Sequence, residues 1–275
     1  MHSIDSFQNK QGYKIFHQSW KVANPKVNLV IIHGIAEHSD RYLHVVKYFN
    51  EHNINVFALD LQGHGNSEGE ICNVNRYRDF LDEIETYIIT IQPEFDNKAY
   101  FVYGHSMGGG LVTALALEDR LTCNGIILSG ALLKVNEDLS PILQKLSPII
   151  SALAPQLKTV QLDATLISKD PSVVDAYLND PRVYYGGIKA RIASELLKMS
   201  KWIQQRMPTF DAPVLILHGA EDQLTKTEGS IMLHEQAISK DKILKIYDGL
   251  YHEILNEPER QMVMHDMLAW MEARI

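Results

Sequence analysis

The sequence predicts an α/β fold, a mostly parallel central sheet flanked by helices, with a helical lid set into it. Three observations carry that prediction. Short β-rich runs bounded by Gly, Asn and Asp alternate with segments of helical periodicity through the first half of the chain. After Gly130 this rhythm stops, and a long stretch carries Pro141, Pro148 and Pro155 among apolar residues without a buried-strand signature. From Pro213 onward the rhythm returns.

Element by element, 14–22 reads as an early strand. Segments 28–33 (NLVIIH), 55–60 and 99–104 (AYFVYG) read as buried ones, since a strand covered on both faces is a near-continuous apolar run. Between them, 41–52 and 75–91 place apolar residues at helical spacing, and 107–119 continues as a helix straight from the strand before it. Segment 125–129 (GIILS) is the next strand. Beyond the interruption come a strand at 214–218 (VLILH), a helix at 227–238, a strand at 243–247 and a final helix at 258–273. These divisions assign 1–130 and 206–275 to a core and 131–205 to a helical cap. Within the cap, 141–162 holds no acidic residue and only Lys145 and Lys158 as charges, so it either faces lipid or packs the lid onto the core.

A chain of 275 residues with 45% hydrophobic content can bury a large core without disulfides or metals. A net charge of −8 argues against a nucleic-acid partner, because tracking phosphates requires a basic face. Cys72 and Cys123 are too few for a secreted disulfide framework and are expected to stay reduced, which points to a cytoplasmic compartment. The polar N-terminal segment lacks the apolar region of a signal peptide, and no run approaches the roughly 18 apolar residues of a membrane-spanning helix. The chain is therefore expected to be soluble, or at most peripheral to a membrane.

The strongest chemical signal is Gly104-His105-Ser106-Met107-Gly108, a G-x-S-x-G pentapeptide between a strand and a helix. A tight strand-to-helix turn pushes the central side chain out of the sheet, and the glycines leave room for close backbone approach. Ser106 is then expected to stand exposed at a helix N-terminus, where the dipole and free N–H groups favour developing negative charge. A serine hydroxyl is a weak nucleophile until a base takes its proton and a carboxylate orients that base. Asp222, after the strand VLILHG, and His252, after KILKIYD, supply both in the order Ser, Asp, His, each just beyond a strand end. Glu221 and Asp248 compete for the role of acid, but Glu221 sits closer to its strand end and Asp248 suits a turn or cap.

The remaining chemistry is a set of donors for the tetrahedral oxyanion, for which the backbone N–H groups of Met107 and Ile35 are candidates. His33 is read as a buried residue supporting the Ile35 loop, and His218 as one that packs or bonds its own loop. His2, His17, His44, His52, His234 and His265 read as surface or helix-face residues without metal-ligand spacing, so neither metal nor cofactor is expected. Gly63-His64-Gly65 fails as a dinucleotide fingerprint, since Gly69 falls one place too late.

Taken together, HGIAEHSDRY (33–42), FALDLQGHGNSEG (57–69), GHSMGG (104–109), HGAEDQL (218–224) and YHEILNE (251–257) resemble the monoacylglycerol lipase branch of the α/β-hydrolases, classed with the serine aminopeptidase-like hydrolases. The resemblance spans nearly the whole chain. It implies the α/β-hydrolase fold with a helical lid inserted after the sixth strand, a Ser106, Asp222, His252 triad, and an oxyanion hole from Ile35 and Met107. It also implies a lipid ester substrate, cleaved to a fatty acid through an acyl-enzyme on Ser106, and transient membrane contact through the cap. Glu37 and Arg41, with Tyr177 in AYLNDP, match positions near the glycerol pocket, although Glu37 and Arg41 read more readily as an ion pair fixing the loop. Ile35-Ala36 stand where a smaller Ala-Gly pair is common, which suggests a narrower pocket. Alternative readings are a lysophospholipase, a broad carboxylesterase, an aminopeptidase lacking a clear carboxylate cluster among Asp163, Asp170 and Asp175, and a non-catalytic binding protein.

Overall fold

A computed structural model describes residues 1–135 and 141–275, with side chains at all of these except 141–146. The chain opens on an antiparallel hairpin, β1 (His2–Gln8) and β2 (Lys14–Trp20), turned at Asn9 to Gly12, where Gly12 takes a φ of 84°. There follow β3 (Val27–Ile32), α1 (Leu43–Glu51), β4 (Ile54–Leu59), α2 (Tyr77–Ile91), β5 (Tyr100–His105), α3 (Met107–Leu117) and β6 (Gly125–Ser129). The interrupted stretch forms α4 (Pro141–Leu153), β7 (Lys158–Val160), α5 (Pro171–Asn179), β8 (Ile188–Lys189) and α6 (Ala190–Gln204). The chain closes with β9 (Val214–Gly219), α7 (Thr227–Gln236), β10 (Lys242–Tyr247) and α8 (Arg260–Glu272).

Among the described residues one sheet runs β1-β2-β4-β3-β5-β6-β9-β10, parallel from β4 to β10 and antiparallel at the β1 and β2 edge. β3 and β4 are buried along their whole length, as their unbroken apolar runs require. Alternate residues feed two cores: Leu29 and Ile31 join α1 and α8 on one face, while Val30 and Ile32 join α2 and α3 on the other. α6 enters this second core through Ile192, Met199 and Ile203, so the interrupted stretch is tied into the sheet's own packing.

One element is added here and one expectation is corrected. The polar N-terminal segment forms β1, a half-exposed edge strand that pairs along its whole length with β2 and so needs no apolar run. It makes β6 the sixth strand, the one after which the chain leaves the sheet. His17 is buried rather than superficial, its ring packed against Phe7 and Tyr87 at 6.0 and 5.4 Å. The acid-free run at 141–162 falls partly, at 141–146, outside the described side chains.

Candidate active site

β5 passes into α3 through one residue, Ser106, held at φ 51° and ψ −117°. A non-glycine residue in this region carries strain of about 1–3 kcal/mol and needs neighbours to hold it. Ser106 N–H donates to the Ser129 carbonyl at 3.0 Å, and the Ser106 carbonyl accepts from Gly110 and Leu132 at 3.1 and 2.9 Å. A Cβ on Gly104 would lie 2.7 Å from Gly108 O, and one on Gly108 2.3 Å from Ile32 O, so neither position tolerates a side chain without movement. Contrary to expectation Ser106 is only 8% exposed, because residues from α5, α6 and their flanking loops cover it.

Asp222 and His252 meet as the sequence order suggests, with His252 Nδ1 2.7 Å from Asp222 Oδ2. Glu221 and Asp248, the competing acids, are both exposed. Burial pushes the Asp222 carboxyl up, but His252 and His218 outweigh it and hold the group well below the ordinary carboxylate range. Backbone N–H groups of Leu224 and Thr225 donate to its other oxygen at 2.8 and 3.0 Å. For His252, burial pulls the pKa down, while Asp222, Glu253 and Glu37 carry it above the usual imidazole value. Beneath it lies His105, 4.7 Å between ring centroids, whose pKa burial and His252 lower to about 4. No hydrogen bond reaches Ser106 Oγ among the described residues, but Ser106 and His252 line the same cavity.

That cavity has a volume of about 140 Å³. Ile35, Met107, Leu132, Leu162, Ile167, Ile188 and Leu196 make it largely apolar. Its polar lining comes from Glu37, Glu253, Thr225, His105, His252, Ser106 and Tyr177. Ile35, which stands where a smaller residue is common, therefore does occupy cavity wall, and Ala36 beside it takes a φ of 68°, a conformation that glycine adopts freely. His33 supports this loop as read from the sequence: it bonds the Gly34 carbonyl at 2.6 Å and accepts from Leu61 N–H at 2.9 Å.

Glu37, Arg41 and Tyr177 come together. Glu37 accepts from Gly34 N–H at 2.6 Å, Tyr42 OH at 2.9 Å and Arg41 at 2.9 Å. Burial raises its pKa, but Arg41 and the nearby histidines hold it down at about 2. The Arg41 guanidinium lies 4.8 Å from the Tyr177 ring centroid. It also forms a bidentate pair with Glu253 at 2.6 and 2.7 Å, so it stands behind the cavity wall with both nitrogens engaged. Glu253, Thr225 and the His218 contact to Asp222 escape a reading of the sequence; only the adjacency of Glu253 to His252 could have hinted at the first. Asp60, inside the glycine-rich motif, accepts from Ser39 N–H and Asn66 N–H at 2.8 Å each, which gives that motif a structural role. Among the described residues no cluster of side chains is suited to a metal ion.

The family described as serine aminopeptidase, S33, matches residues 23–259. The chain is 35% identical over 274 residues to a monoacylglycerol lipase of Mycolicibacterium smegmatis, covering 99% of this chain and 98% of that one. It is 31% identical to the human monoglyceride lipase, covering 97% and 89% respectively. The crystal structure of the Paleococcus ferrophilus monoacylglycerol lipase superposes with a TM-score of 0.85 at 26% identity, over 95% of this chain and 99% of that one. Full-length likeness in sequence and a matching mostly parallel sheet together mean that this chain belongs to the serine aminopeptidase, S33, family and, within it, to the monoacylglycerol lipase branch of the α/β-hydrolases.

Proposed function

We propose that the chain is a carboxylic ester hydrolase that cleaves long-chain monoacylglycerols to glycerol and fatty acid, as the names of its relatives suggest. The carrying observation is that Ser106, strained at a helix N-terminus, shares an apolar cavity with His252, which is paired to Asp222. In this reading His252 Nε2 takes the Ser106 proton as Oγ attacks the ester carbonyl. The N–H groups of Ile35 and Met107 receive the oxyanion, an interaction worth about 3 kcal/mol per donor. His252 then protonates the departing glycerol oxygen, and water, deprotonated by the same ring, releases the acid and restores Ser106. Segment 131–205 acts as the cap over a core formed by 1–130 and 206–275, and its exposed apolar residues touch the lipid surface transiently. Both cysteines are free, which suits a reducing, cytoplasmic setting.

Charge at the polar end of the cavity favours a neutral alcohol over a lysophospholipid. Glu37 and Glu253 line it, whereas its nearby cation, Arg41, is already shared between them. A phosphate headgroup would meet two carboxylates without a free positive partner. Glu37 and Tyr177 are assigned to the glycerol hydroxyls, with Arg41 fixing both in place. The same pair is a carboxylate cluster of the kind an aminopeptidase needs, but Arg41 sits where a substrate ammonium would bind. Initial rates on monoacylglycerol, lysophosphatidylcholine and an amino-acid anilide test this: monoacylglycerol should dominate, and Ser106→Ala should lose about 10⁶-fold in kcat. Equal rates on the three substrates, or an active Ser106→Ala, would refute the reading.

A further inference from the structure

His218, one residue before the end of strand β9, is fully buried and is absent from the cavity wall. Its Nε2 lies 3.0 Å from Asp222 Oδ2 and its Nδ1 2.7 Å from Ser230 Oγ on α7, a side chain also fully buried. Asp222 Oδ2 is the same oxygen that receives His252 Nδ1 at 2.7 Å and Thr225 Oγ1 at 2.8 Å. An ionised carboxylate only accepts, so His218 Nε2 carries a proton and presents it to Asp222 Oδ2 at 3.0 Å, with Thr225 Oγ1 also near it at 3.4 Å. In the neutral ring Nδ1 then accepts from the Ser230 hydroxyl. A directional chain results, from Ser230 to His218 to Asp222, with His252 donating to the carboxylate from the other side.

We infer that His218 is a positioning residue for the Asp222–His252 pair, fixing the rotation of the carboxylate and drawing part of its negative charge away from His252. The inference rests on the reading of Ser106, Asp222 and His252 given above. A carboxylate that accepts more hydrogen bonds is a weaker partner for an imidazolium, so His218 makes His252 release its proton at lower pH than it otherwise would. The other groups acting on His252 stay in place when His218 is changed: Glu253, Glu37 and the His105 ring. Facing His218 itself are Asp222, Thr225 and Ser230, with His252 beyond the carboxylate.

The test is kcat/KM against pH on a soluble ester for His218→Leu, His218→Gln and Ser230→Ala, with thermal melts alongside. His218→Leu should move the acid limb upward by about half a pH unit or more and lower kcat while leaving KM nearly unchanged. His218→Gln, whose amide can still donate, should return the limb toward wild type, and Ser230→Ala should shift it part of the way by freeing the ring. Should His218→Leu fail to fold, the Gln and Ala variants decide. Coincident limbs in variants that melt like wild type, or a Gln variant shifted as far as Leu, would overturn the inference. Failure of the underlying reading looks different: turnover would then survive Ser106→Ala or Asp222→Asn.

Discussion

In the proposed mechanism His252 must be unprotonated before it can take a proton from Ser106, and the charges around it decide at what pH that happens. Burial favours the neutral ring, but Asp222 at 2.7 Å, Glu253 and Glu37 favour the imidazolium more strongly. A raised pKa keeps the base protonated to higher pH, so the acid limb of kcat/KM should have its midpoint above 6.5, the ordinary histidine value. Asp222, held well below the usual range, stays ionised throughout and adds no second inflection. Glu253→Gln removes one of the raising charges and should move the midpoint down. A midpoint at or below the ordinary value in the unaltered protein, measured by pH-rate profile, would contradict this account of the charges.

The segment after α5 and the loop after β3 are fastened to each other. Tyr184 N–H donates to the Ala36 carbonyl at 3.0 Å, His38 Nε2 lies 3.0 Å from Asp180 Oδ2, and Arg182 pairs with Asp40. Ala36 takes a left-handed φ that costs a non-glycine residue about 1–2 kcal/mol, and these contacts oppose its relaxation. The loop they hold carries Ile35, whose N–H is assigned to the oxyanion. Arg182→Glu, placing like charges at Asp40, should lower kcat several-fold with a smaller change in KM. Adding Asp40→Arg should restore part of the loss. The pair is partly exposed and worth less than about 1 kcal/mol, so thermal stability should hardly move. An unaltered kcat in Arg182→Glu would mean that the loop keeps its shape unaided. Further along, Glu195 on α6 accepts from Tyr77 N–H at the start of α2 at 3.0 Å, which ties these two helices together.

At the scale of the molecule, the central strands β3 and β4 are buried along their length, whereas residues 149–160 leave large apolar side chains in solvent. Ile149, Leu153, Leu157 and Val160 are 55, 82, 53 and 49% exposed. Among the described residues no helix is long and apolar enough to cross a membrane. Contact with a lipid surface would then come from these side chains, each contributing on the order of 1.5–3 kcal/mol when fully buried. The double variant Leu153→Ser, Leu157→Ser should bind vesicles at least about ten-fold more weakly and turn over vesicle-borne substrate more slowly, with unchanged rates on a soluble short-chain ester. Equal losses on both substrates would instead point to a distorted cavity.

The sequence alone showed β2, β3, β4, β5, β6, β9 and β10, the helices α1, α2, α3, α7 and α8 between and after them, and the order Ser106, Asp222, His252. Each of these is written locally: unbroken apolar runs, apolar residues at a period of 3.6, and glycines around one strained turn need only near neighbours in the chain. β1 escaped because an edge strand gains its order from its partner β2 and not from an apolar run of its own. Tertiary structure alone decided that Ser106 is buried, that His218 and Thr225 share the Asp222 oxygen, and that Arg41 is held by Glu253, which lies 212 positions away. These are contacts between polar groups brought together by packing, and buried polar groups must find partners wherever the fold places them. Nothing in the spacing of residues along the chain records that choice.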